Sequence, residues 1–173
     1  MKLISKSAFH RQFAQQGIVL DRRFRPPQTL IFEGRAELRQ SWDLPGRAKD
    51  IARWVTSLVD ATQPEKRIYL YPRDGAWRVG NSLKLFQTNA VFAMYGLKPT
   101  GDEVVEAEDV ERDAVESLVL LSLMHGATVA DDIFLISDHG KVILYADHHE
   151  AMHGEFGDGE FMNRFLLEVP ETT

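Results

Sequence analysis

The run IFLISDHGKVIL, residues 133–144, constrains the fold more than any other stretch. Branched and aromatic residues flank an Asp-His-Gly turn, which is the composition of a β-hairpin. A second run, IYLYPRDGAWRV, residues 68–79, has the same layout around Arg-Asp-Gly. The likeness reads as the shared composition of hairpins more than as a duplication. Hairpins assemble into antiparallel sheets, and a sheet with an apolar face needs another layer to cover it.

The chain supplies that layer. Residues 7–16 predict a first helix, with Phe9 and Phe13 at i, i+4 and Gly17 placed to end it. DLPGRAKDIARWVTSLVDATQP, residues 43–64, carries Ile51, Trp54, Val55, Leu58 and Val59 on one stripe and predicts an amphipathic helix. Residues 82–96 predict a third helix, ended by Gly96. EAEDVERDAVESLVLLSLMHG, residues 106–126, predicts a fourth, with its acids crowded toward the positive end of the dipole. Residues 159–169 close the chain as a short helix or strand. TLIFEGRAELRQSW, residues 29–42, alternates with Phe32, Leu38 and Trp42 on one face and Glu33, Arg35, Glu37 and Arg39 on the other. Period two predicts one strand with a wet face. GIVLDRRF, residues 17–24, predicts another strand before the Pro-Pro interruption. The expectation is a single α+β domain over residues 1–173, with a mostly antiparallel sheet built from β-hairpins and three to four packed helices.

Charge divides unevenly along this chain. Residues 1–98 hold 17 Lys and Arg against 8 Asp and Glu, and residues 99–173 hold 3 against 18. Either one half meets an oppositely charged partner, or the halves face each other in one fold and neutralise. The overall charge of −6 argues against nucleic acid as the main partner, although Asp21-Arg22-Arg23-Phe24-Arg25 has the residues to grip phosphate. There is no cysteine, so disulfides, thiolate metal sites and cysteine nucleophiles are excluded. SLVLLSLM and KVILYA, the longest apolar stretches, are shorter than a membrane span, and the N-terminus has no signal-peptide core. The expected location is the cytoplasm.

Half of the six histidines fall in ADHHEAMHG, residues 146–154. His149-Glu150-Ala151-Met152-His153 matches H-E-x-x-H, and on a helix both imidazoles would share a face. This stretch resembles the active-site motif of zincin metallopeptidases. The resemblance implies a zinc ion held by His149 and His153, Glu150 as general base, and Glu160 or Glu168 as a third ligand. Asp147 and Glu155 depart from the family pattern, which has uncharged residues at both places. Asp147-His148-His149 after an apolar strand also resembles the motif of the DHH phosphoesterases. The competing reading is local: KVILYA is a better strand than helix, and a strand continued to His153 would set His149 and His153 about 13 Å apart.

These observations favour a non-catalytic protein-binding domain, immunity-like or regulatory in type, that uses a charged surface. It needs no cofactor. Its expected partner is basic, and Glu103, Glu106, Glu108, Asp109 and Glu111 are the candidate contact residues. A zinc hydrolase on His149, Glu150 and His153 is the alternative. A homo-oligomer joining a basic to an acidic face is the third reading.

Overall fold

The computed structural model describes residues 1–21, 29–35, 37–43, 67–73, 77, 82–101, 103–124, 133–146 and 151–168. The predicted helix over 43–64 and the arginines of 22–25 lie almost wholly outside them. The described chain runs β1 (Lys2–Ile4), α1 (Lys6–Phe13), a 3-10 turn (Ala14–Gln16), β2 (Ile18–Asp21), β3 (Thr29–Phe32), β4 (Arg39–Asp43) and β5 (Arg67–Pro72). It continues with α2 (Ser82–Met94), β6 (Val104–Glu108), a 3-10 turn (Asp109–Glu111), α3 (Arg112–Met124), β7 (Ile133–Ser137), β8 (Val142–Ala146), β9 (Ala151–Phe156) and α4 (Gly159–Glu168). Seven strands form one sheet in the order β1-β6-β5-β7-β8-β9-β4, and β2-β3 form a separate ribbon. Every pairing described is antiparallel. The α+β architecture with four helices among the described residues is the one the sequence implies.

The sheet is covered on both sides, which explains why β7 reads as an unbroken apolar run. Ile133 and Leu135 join one core cluster, with Phe92 of α2, Val115 and Leu118 of α3, and Phe161 and Phe165 of α4. Phe134 and Ile136 join the other, with Phe9 and Phe13 of α1 and Leu30 and Phe32 of the ribbon. Each such side chain contributes about 1.5–3 kcal/mol by leaving water. The β7–β8 hairpin turns at Gly140, whose φ of 61° favours glycine. A Cβ there would also stand 2.5 Å from the Phe13 ring, so glycine lets the hairpin tip seat on α1.

Three expectations need correction. The run over 29–42 is two strands in two sheets, because Gly34 at φ 70° breaks it and turn bonds from Arg35 to Phe32 and from Leu38 to Arg35 follow. The strand β5 does not pair with residues after its Arg-Asp-Gly, since β6 and β7 occupy its two edges. The acidic helix begins at Arg112, and Val104–Glu108 is a strand, with Val105 and Ala107 in the helix-side core. Only Asp113 remains as an acid in the first helical turn.

Candidate functional site

The ribbon side of the sheet carries the polar chemistry. At one end, β8, β9 and β4 lie side by side, with Tyr145 opposite His153 and His153 opposite Ser41. The His153 ring stacks on Tyr145 at 5.0 Å, and its Nδ1 shares a 2.8 Å hydrogen bond with the Ser41 hydroxyl. One pair further along, Arg39 Nη2 donates to Glu155 Oε1 at 2.7 Å.

Glu155 also binds the ribbon. In the β2–β3 register Ile18 faces Phe32, and the Glu33 N–H donates to the Gly17 carbonyl. The Phe32 N–H therefore points away from β2. It lies on the side of the Glu155 carboxylate, whose charged form it favours slightly. One buried carboxylate of β9 thus pairs with Arg39 of β4 and lies near Phe32 of β3. Burial pushes its pKa above the usual carboxylate value of 4.5, and Arg39, His153 and the Phe32 amide offset only part of that.

Between the ribbon, the end of α1 and this Arg39–Glu155 pair lies a cleft of about 860 Å³. Its described walls are the aliphatic residues of β2 with Ile31 and Phe32 of β3. Asp21, Glu33 and Glu155 are its carboxylates, against the guanidinium of Arg39 and the ring of His10. Burial, aided by the Lys6 charge, holds His10 below its ordinary pKa of 6.5, so the ring is neutral at pH 7. Its Nε2 shares a 3.1 Å hydrogen bond with the Tyr71 hydroxyl. A cleft of this size with apolar walls, a few convergent polar groups and a carboxyl of shifted pKa is the usual character of a binding site.

The residues singled out in the sequence are placed differently. His149 and Glu150 lie outside the described residues. His153 sits in β9 with a strand on each side, whereas the zincin arrangement needs a helix through it. Glu160 and Glu168 belong to α4. Among the described residues, no group of three His, Cys, Asp or Glu is placed to hold a metal ion.

The acidic segment is partly engaged within the fold. Glu106 is buried and pairs with Lys2 at 3.0 Å and Arg67 at 3.5 Å. The Glu111 carboxylate binds the N-terminal ammonium and accepts from the Glu108 N–H at 2.8 Å. Burial works against the charge of Glu103. The Thr100 hydroxyl and the Thr100 and Gly101 amides outweigh it and hold that carboxyl below its usual range. Asp109 lies in the 3-10 turn, and Glu108 is exposed. The ion pairs of Met1, Lys2, Arg39 and Arg67 each join a cation from residues 1–98 to an acid from residues 99–173. Part of the charge split along the chain is thus met inside the fold, through three acids of residues 99–173.

Sequence reasoning did not single out Arg39 and Glu155 as a pair, and they stand 116 residues apart with no local signal linking them. No helix among the described residues is long and apolar enough to cross a membrane. No protein-family model, curated protein or solved structure matches this chain.

Proposed function

We propose that this chain is a non-catalytic protein-binding domain whose partner enters the ribbon cleft with a basic side chain set among apolar ones. The observation that carries this reading is the composition of the cleft: aliphatic and aromatic walls with three carboxylates facing one guanidinium. With Glu155 neutralised by Arg39 or by a proton, the exposed Glu33 still favours a cation. The basic partner expected from the sequence is retained. Its contact surface moves from the acidic segment, whose carboxylates are mostly engaged within the fold, to Glu33, Asp21 and the walls around them.

The test is fluorescence anisotropy with short labelled peptides that pair Arg or Lys with Leu or Phe, beside acidic peptides of equal hydropathy. The basic set should bind, weaken as salt screens the charges, and lose at least about tenfold in affinity in a Glu33→Arg variant. Glu33 is exposed, so this change leaves the fold intact. Equal binding of both peptide sets, or basic-peptide binding indifferent to Glu33→Arg, would overturn the reading.

A further inference from the structure

The seven-stranded sheet has an open edge beside the cleft. β4 is its last strand, and among the described residues only β9 pairs with it. One hydrogen bond fixes which way its backbone faces. The Phe156 N–H donates to the Leu38 carbonyl at 2.9 Å, and these two residues stand one step from the Arg39–Glu155 pair in the register. Bonded and non-bonded pairs alternate along an antiparallel ladder. Gln40 and Trp42 therefore bond to β9, and Arg39, Ser41 and Asp43 turn their N–H and C=O groups outward. Arg39 and Ser41 are exposed. The Gln40 side chain donates to the Ser41 carbonyl at 3.1 Å, and among the described residues no hydrogen bond takes the N–H of Arg39 or of Ser41.

Given a basic partner in the cleft, we propose that it binds as an extended strand, with its main chain added to the β4 edge and its alternate side chains turned into the cleft, a mode of binding that rests on that reading of the cleft. The edge and the cleft are continuous, because Arg39 belongs to both. Arg39 and Ser41 stand opposite Glu155 and His153, so the four lie on the ribbon side of the sheet. A strand added to this edge puts every second side chain on that same side. There the exposed Glu33 of the cleft wall favours a basic side chain, and the Arg39 charge is already met by Glu155 at 2.7 Å.

An extended partner is the kind that fits this edge. Outward N–H and C=O groups of a strand take another strand's backbone, whatever its side chains. A helix has already used its own backbone groups inside itself and has none to offer. The main chain thus supplies affinity, and the cleft supplies the preference for basic and apolar side chains. The opposite end of the sheet is a poorer seat. β1 there is three residues long against five in β4, and it is not among the described walls of the cleft.

Backbone N-methylation of a peptide tests the proposal. A labelled peptide of about eight residues built from Arg and Leu is methylated at one amide at a time, and each form is titrated by anisotropy. In either strand orientation only every second peptide N–H faces β4, so the loss in affinity should alternate along the peptide. It should reach at least about tenfold where the N–H faces the edge and stay under about threefold at its neighbours. With the parent peptide bound, amide exchange of Arg39 and Ser41 should slow at least about tenfold, while Gln40, already bonded to Gly154, should not change. Ser41→Pro removes an outward N–H and no bond to β9, so it should weaken peptide binding at least about tenfold with β4 still paired. Losses without alternation, or a bound peptide that leaves Arg39 and Ser41 unprotected, would overturn the added strand and leave the reading of the cleft standing. Protection of these two amides that grows with protein concentration, without peptide, would overturn it in favour of a second copy. No binding at all would overturn both.

Discussion

Two glutamates are buried on the same side of the seven-stranded sheet, one near each end, and they are satisfied in different ways. Glu106 in β6 stands between Lys2 and Arg67, two cations that remain 63% and 46% exposed. Glu155 in β9 has Arg39 as its ion-pair partner, and its charged form is favoured further by His153 and, least, by the Phe32 amide. The first arrangement is a charge cluster open to water on its cationic side. The second is as open on its cationic side, with Arg39 47% exposed, but its carboxylate lies beside Phe32 of the ribbon. Burying a carboxylate is costly in both cases; the first joins neighbouring strands of the sheet, and the second lies between the sheet and the ribbon.

The contrast predicts an order of effects under substitution. Glu155→Ala should cost the most, about 2–4 kcal/mol, because it removes a buried, ion-paired side chain and opens a gap beside Phe32 of the ribbon. Glu106→Ala should cost less, about 1–2 kcal/mol, since Lys2 and Arg67 are exposed enough to return to water. Urea unfolding of the two variants measures both. If Glu106→Ala proves the more damaging, the distinction drawn between the two sites is wrong.

A smaller effect separates charge from hydrogen bonding at the junction. The raised pKa of Glu155 means that the folded chain keeps this proton to higher pH than the unfolded chain does. Glu155 therefore subtracts stability as pH rises from 4.5 through its raised value. Glu155→Gln keeps an acceptor for Phe32 and removes the titration. The variant should gain on the wild type over that pH range, and parallel stability curves would show that burial does not govern this carboxyl. Smallest of all is the effect at the cleft wall. His10 should titrate below 6.5 by NMR, and Lys6→Met should raise its midpoint slightly by removing a neighbouring positive charge. A midpoint above 6.5 would mean that the ring is not desolvated.

Much of the fold was legible because its signals are local. Gly17 stops α1, the 133–144 hairpin turns where Asp-His-Gly stands, and α2 ends before Gly96. What was hidden depends on distant residues. Glu106 interrupts the apolar pattern of Val104 to Ala107 and draws that stretch toward a helical reading, yet its partners lie in β1 and β5. The strand β9, with its glycine, histidine and glutamate, has poor intrinsic strand character and forms because β8 and β4 pair with both of its edges. The histidine motif drew attention through composition. The Arg39–Glu155 pair beside it carries the architecture and has no composition to reveal it.

The central claim is that Glu155 holds the ribbon to the sheet and so forms the cleft. Amide hydrogen exchange at Phe32 and Glu33, in the wild type and in Glu155→Ala, tests it most directly. The Glu33 amide bonds to Gly17 within the ribbon, and the Phe32 amide points out of it on the side of Glu155. Both should be protected in the wild type, and only Phe32 should exchange at least about tenfold faster in the variant. An unprotected Phe32 in the wild type, or equal protection in both proteins, would contradict the account.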